Sequence, residues 1–165
     1  MPRLFIAVWP PPTVVELLDA LPRPAVPGVR WTTPAQLHVT LRYLGEVDES
    51  LARAALETVV AAPAEASLGP TVGRLGPDTV IVPVGGLEPI AGAVELATLR
   101  LGERPHPDGF VGHLTLGRQR GGGRTALDGV AVASSFTVDE IALVRSERSP
   151  DGARYTTVAR RSLAL

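Results

Sequence analysis

The sequence predicts an α+β fold, and three observations carry that prediction. Strand-like and helix-like segments follow one another as strand, helix, strand, helix, two strands, helix, strand, loop, two strands, without the strict alternation of a doubly wound parallel sheet. Of 165 residues, 45% are hydrophobic and 20% charged, the balance of a chain that buries a core. One phrase, His-x-Thr-Leu, is spelled twice, in LHVTL at 37–41 and GHLTL at 112–116, nearly half the chain length apart. That spacing fits a duplication into two lobes of one domain spanning 1–165.

The elements follow in order. RLFIAVW at 3–9 is a buried-type strand, apolar without interruption from Leu4 to Trp9. In PPPTVVELLDALP, Pro stands at the start, and Val14, Val15, Leu17, Leu18 and Leu21 suit a short helix ending at Pro22. Residues 22–29 read as a Pro-rich loop. Arg30 and Trp31 lead into TTPAQ, a connector. LHVTLRYLG is a strand ending at Gly45, and Asp48 caps a helix from about Glu49 to Ala62. Residues 66–75 and 78–84 (DTVIVPV) read as two strands joined by the turn Gly76-Pro77. A helix over about Glu88 to Leu101 precedes a loop over 102–112. GHLTLGR is a further strand, and RQRGGGRT a flexible basic loop. FTVDEIALVRSE and RYTTVARRSLAL close the chain as a pair of strands around Ser149-Pro150-Asp151-Gly152.

Composition excludes several function classes. A net charge of −1 is not that of a general polyanion binder. All sixteen basic residues are Arg, which reads as coding bias, although the guanidinium fork fits phosphate well. The basic residues gather late: from Arg104 onward nine arginines face six acids. With no cysteine there are no disulfides, thiolate metal sites or thiol nucleophiles. No apolar run reaches the roughly 18 residues a membrane span needs. MPRLFIAVWPPP lacks a small-residue cleavage site, so it reads as a first strand rather than a signal peptide. These features predict a cytoplasmic protein with no membrane partner, no cofactor and no evident obligate protein partner.

The chemistry lies in the twin phrase. On a strand, side chains alternate faces, so His38 and Thr40 point one way and Val39 and Leu41 the other. The same holds for His113 and Thr115 against Leu114 and Leu116. A single His-x-Thr on a strand is ordinarily a structural or surface pair. Two copies occupy two of the three histidines. Two such faces turned together give two imidazoles and two hydroxyls around one cavity, a set suited to in-line displacement at phosphorus. One neutral His takes a proton from water while a protonated His gives one to the leaving oxygen. The hydroxyls hold the non-bridging oxygens. A two-His metal site is the weaker alternative, because zinc normally takes three or four protein ligands. His106 has no Thr partner and sits in a Pro-rich loop. Trp9 and Trp31 read as packing. Tyr155 reads equally as packing or cleft lining.

RLFIAV at 3–8, RWTTPAQLHVTLRYLGEV at 30–47, FVGHLTLGR at 110–118 and the closing SERSPDGARYTTVARRSLAL together resemble the 2H phosphoesterases. Within them the likeness is to the bacterial and archaeal RNA 2′,3′-cyclic phosphodiesterases, the 2′-5′ RNA ligase family. The resemblance covers nearly the whole chain. It implies a bilobal, pseudo-twofold fold with two antiparallel sheets lining a central cleft and helices outside. It also implies metal-independent hydrolysis of RNA 2′,3′-cyclic phosphate ends to 2′-phosphomonoesters. By the same resemblance His38 is the proton donor, His113 the proton acceptor, and Thr40 and Thr115 bind phosphate. Arg118, Phe5 and Arg42 are further substrate-binding candidates. Gly112 stands where relatives carry Pro, which predicts a looser backbone before His113. Arg42 stands where Lys is common. The insert RGGGR at 120–124 is no family hallmark: it reads as a solvated loop, or as an arm touching an RNA backbone. Strand alternation alone turns Arg118 away from His113, unless a bend or bulge at Gly117 brings it back. The competing activities are 2′-5′ ligation, another cyclic-phosphate hydrolysis, or RNA-end binding without turnover.

Overall fold

The computed structural model describes residues 1–121 and 123–164; Gly122, at the centre of RGGGR, and Leu165 lie outside the described residues. The strands are β1 (Arg3–Val8), β2 (Val29–Trp31), β3 (Val39–Glu46), β4 (Ala64–Leu68), β5 (Gly73–Leu75), β6 (Thr79–Gly85), β7 (His113–Gln119), β8 (Ser134–Val138), β9 (Glu140–Ser149) and β10 (Gly152–Ser162). The helices are α1 (Pro12–Asp19), α2 (Glu49–Glu57) and α3 (Glu88–Ala97), with a 3₁₀ turn at Pro34–Gln36. None of the described helices is long and apolar enough to cross a membrane.

The fold is α+β, as the element order predicts. The strands run in the order β10-β9-β1-β3-β7-β6-β4-β8, with β2 beside β7 and β5 beside β6. Every pairing is antiparallel. Four strands on each side of the β3–β7 junction form the two halves, and the junction itself is a single pair, Val39 opposite Leu114. Those are the residues that follow the two histidines. The repeated phrase therefore sits at the junction of the halves. The two sheets expected from the sequence are thus one continuous path, pinched at the site.

Each helix buries one narrow stripe: Val14 and Leu18 on α1, Ala52 and Leu56 on α2, Ile90, Ala91 and Val94 on α3. The caps follow the sequence. Pro12 opens α1, and the Asp48 side chain accepts from the Leu51 N–H at 3.1 Å to open α2. The helices stop earlier than their apolar spacing suggests. The Thr58 hydroxyl donates to the Ala55 carbonyl at 2.7 Å, and β-branched Val59 and Val60 follow, so α2 ends at Glu57. Thr98 does the same for α3, donating to Val94 O at 2.8 Å.

Two expectations about strands need correction. The run 66–75 is not one strand: Gly69-Pro70 interrupts it, because Pro has no N–H for the ladder. FTVDEIALVRSE is not one strand either. It breaks at Asp139, and the pieces lie in opposite halves, β8 at the edge of the second and β9 inside the first. Burial marks the break. Before Asp139 only alternate residues, Phe136 and Val138, are buried, whereas Ile141 to Val144 are buried consecutively between β1 and β10. Arg30 and Trp31, which lead into the connector TTPAQ, form a short strand, β2, with Val29.

Candidate active site

Alternation from the Val39–Leu114 pair builds the site. Both residues are fully buried in the main core, so their neighbours His38, Thr40, His113 and Thr115 face the other way. Antiparallel pairing carries His38 toward Thr115 and Thr40 toward His113. All four line one cleft of about 460 Å³.

The two rings are oriented alike. His38 Nδ1 donates to the carbonyl of Gln36 at 2.6 Å, and His113 Nδ1 donates to the carbonyl of Val111 at 2.7 Å. Each acceptor lies two residues upstream. A carbonyl only accepts, so Nδ1 keeps its proton in both ring states and Nε2 is the nitrogen that exchanges one. On His38, Nε2 lies 3.0 Å from the Thr40 hydroxyl. Gln36 is itself fixed: its side-chain N–H donates to Ala153 O at 2.7 Å, tying the 3₁₀ turn to the start of β10.

The environment of His38 is aromatic. Its ring centroid lies 4.9 Å from Phe5, 5.0 Å from Tyr155 and 5.8 Å from Trp9, the last two edge-on. Phe5, Ala7, Ala142 and Val144 form a second small apolar cluster here, with Trp9 and Tyr155 against it. Trp9 is held by its indole N–H donating to Thr157 at 2.9 Å. Burial pushes the His38 pKa below its ordinary value; the Gln36 carbonyl opposes this and His113 adds to it. Burial likewise raises the Tyr155 phenol, against the pull of the Arg118 charge.

A pH prediction follows from that shift. In NMR titration the His38 ring should change charge below the ordinary histidine range. The unfolded chain then binds more protons than the folded one between the two pKa values. This contribution to stability is therefore complete above the ordinary histidine pKa and is lost as pH falls through the lowered one. Adding inorganic phosphate should move the His38 midpoint upward, because an anion favours imidazolium. A His38 midpoint at or above that of a free histidine would contradict the burial account.

Two β-bulges decide which other side chains reach the cleft. On β3, Ala7 pairs with Thr40 and Ile6 with Arg42, so Leu41 is the extra residue. On β7, Ile81 pairs with Thr115 and Val80 with Gly117, so Leu116 is the extra residue. Each bulge reverses the alternation, and the residue five after each histidine turns into the cleft: Tyr43 in one half, Arg118 in the other. Arg118 thus returns to the His113 face, with the bulge at Leu116 rather than at the glycine. Gly117 has a different task. A Cβ there would stand 2.6 Å from the Trp31 ring, so the glycine admits the indole against the strand.

The same geometry removes Arg42 from the candidate binding set. Its side chain is 5% exposed and turned from the cleft. It donates to Thr98 Oγ1 at 3.2 Å and to the carbonyls of Tyr43, Leu101 and Glu103 at 2.7, 3.2 and 2.7 Å. Arg42 braces β3 to the end of α3. Phe5 borders the cleft but is 4% exposed, so it walls the His38 ring. His106 is exposed in the loop before β7, 3.8 Å from Asp108.

Gly112 does not loosen the backbone. A Cβ there would lie 2.2 Å from the Val84 carbonyl oxygen, while the Gly112 carbonyl accepts from the Val84 N–H at 2.9 Å. The glycine lets the segment bearing Val111 press against β6. The flanks of the RGGGR loop are tied as well. Arg74 donates to Gly123 O at 2.5 Å and pairs with Asp128 at 2.9 Å.

Sequence reasoning missed Gln36, Arg30 and Tyr43. Arg30 lines the cleft directly opposite Arg118 across β2–β7. Tyr43 is 43% exposed at the other side. Among the described residues no three of His, Asp or Glu are grouped to hold a metal ion.

Comparison with known proteins places these features in a wider set. The family described as LigT-like phosphoesterase matches residues 6–68, which carry the first His-x-Thr. No curated protein sequence matches the chain. Among solved structures, TT0787 of Thermus thermophilus is 26% identical, covers 97% of each chain and superposes with a TM-score of 0.79. A structure described as a phosphoesterase is 23% identical over 99% of each chain, TM-score 0.80. E. coli LigT in complex with 3′-AMP is 23% identical over 99% of each chain, TM-score 0.78.

Proposed function

We propose that the chain is a LigT-like (2′-5′ RNA ligase) member of the 2H phosphoesterases and that it hydrolyses 2′,3′-cyclic phosphates at RNA 3′ ends to 2′-phosphomonoesters. One observation carries the reading: two histidines, each with Nδ1 held by a carbonyl two residues upstream, border one cleft from opposite halves. Binding alone needs no such matched pair of exchanging nitrogens.

In the proposed reaction a water oxygen attacks phosphorus opposite O3′. His113 Nε2 takes the proton that the water loses. The P–O3′ bond breaks as His38 Nε2 gives a proton to O3′, leaving a 3′-hydroxyl and a 2′-phosphate. Thr40 and Thr115 donate to the non-bridging oxygens, and Arg118 offsets their charge from the β7 side. Burial disfavours the His38 imidazolium. The anionic phosphate of a bound substrate opposes that and favours the charged acid. Proton exchange with solvent resets both rings. All the proton transfers run through side chains, and the reaction needs no metal or cofactor. E. coli LigT has been crystallised with 3′-AMP, NADP⁺ and ATP, which supports a nucleotide as the ligand of this cleft.

The test is turnover of 2′,3′-cyclic AMP by protein treated with excess EDTA. The expected result is hydrolysis at the untreated rate. Loss of activity restored by one divalent ion would overturn the metal-independent mechanism. Tight binding without turnover would point to an RNA-end binding module.

A further inference from the structure

We infer that the cleft holds a second phosphate, the 5′-phosphodiester of the terminal nucleotide, along the β2–β7 edge at Arg30 and Arg120. The inference rests on the cyclic-phosphate reading and deepens it: the favoured substrate is an RNA 3′ end of at least two nucleotides, not a cyclic mononucleotide.

The argument begins with an arrangement that is unfavourable without an anion. Arg30 and Arg118 are direct cross-strand partners, and both side chains line the cleft. Like charges placed opposite one another in a ladder repel. Other arginines have fixed partners: Arg74 meets Asp128, Arg145 meets Glu49 and Arg160 meets Glu140, while Arg42 is held by Thr98 and three carbonyls. Among the described residues neither Arg30 nor Arg118 has a carboxylate within salt-bridge distance. Among the described residues the Arg118 side chain has one long contact, to the Thr79 hydroxyl at 3.5 Å. The forks are left for an incoming anion.

The pair also stands where a chain would leave the site. Past Arg30 and Arg118 the cleft continues into a depression bordered by Gly28, Gln119 and Arg120, with Asp78 its one acidic side chain. Arg124 is not part of this edge, because it faces Asp128 at 4.0 Å. At the other end, past Tyr43 and His113, the wall carries three carboxylates, Glu95, Glu103 and Asp108, against Arg104 and the buried Arg42, whereas the β2–β7 edge sets Arg30, Arg118 and Arg120 against Asp78 alone. Those carboxylates repel phosphate. The pseudo-twofold site is therefore polarised, with Arg118 where the other half has Tyr43. A polynucleotide reacting at its 3′ end has one electrostatically favourable exit.

The experiment measures kcat/KM for adenosine 2′,3′-cyclic phosphate and for the dinucleotide ApA ending in a 2′,3′-cyclic phosphate, with the unmodified protein, Arg30→Gln and Arg120→Gln. The unmodified protein should prefer the dinucleotide by about tenfold or more, the worth of one charge-assisted contact. Each variant should lower the dinucleotide-to-mononucleotide ratio several-fold and flatten its dependence on salt. A ratio near one in the unmodified protein, or an equal loss on both substrates in the variants, would overturn the second site while leaving the hydrolysis reading intact. No turnover of either substrate by the unmodified protein would overturn that reading and the second site with it.

Discussion

His113→Ala and His38→Ala should each lower kcat/KM on a cyclic phosphate by about 10²–10⁴-fold, or about 3–5 kcal/mol of barrier. The reason is the same for both: each ring presents one exchanging nitrogen, fixed by its Nδ1 bond to Gln36 or Val111. The double variant should be little worse than the poorer single one, because the transfers belong to one displacement. The two should differ in stability. His38 lies among Phe5, Trp9 and Tyr155, so its loss opens a gap in the packing. His113 has no such surround and should melt near the unmodified Tm. Near-normal turnover by either variant would refute the two-histidine mechanism.

Gly112→Ala should disturb fold and activity together. The new methyl would meet the Val84 carbonyl oxygen at 2.2 Å, a backbone atom that cannot swing aside as a side chain would. Relief requires the segment before β7 to move away from β6. Overpacking of this kind costs about 1–3 kcal/mol. The displaced segment carries Val111, whose carbonyl orients His113, and a misplacement of about 1 Å costs on the order of 10²-fold in rate. Gly85→Ala is the control, because a Cβ there has no neighbour within 4 Å. It should change neither Tm nor kcat. If Gly112→Ala matched it in both, the close approach of the two backbones would be of no consequence.

Much of this was legible in the sequence. The twin phrase named four cleft residues and their faces, because alternation from an apolar anchor needs no tertiary knowledge. Alternation also failed predictably. It treats Arg42 as a neighbour of Thr40, but the bulge at Leu41 turns it to α3, where Thr98 and three carbonyls receive it. No local residue signals that bulge. A comparison between the two halves does, since Tyr43 and Arg118 stand at the same offset from their histidines. Arg30 was hidden because its importance lies in the residue opposite, and strand partners are set by topology. FTVDEIALVRSE misled for a related reason. A continuous β-type run does not disclose that its ends serve different halves. Gly112 read as looseness because a missing side chain suggests freedom, whereas the approach of Val84 makes the position tight.

The most direct test of the central claim is hydrolysis of 2′,3′-cyclic AMP in ¹⁸O-water, with the product's phosphate position and label read by ³¹P NMR and mass spectrometry. Water attack at phosphorus opposite O3′ predicts 2′-AMP carrying one ¹⁸O on phosphate and none on the ribose. A 3′-phosphate product, or label in the ribose, would contradict it.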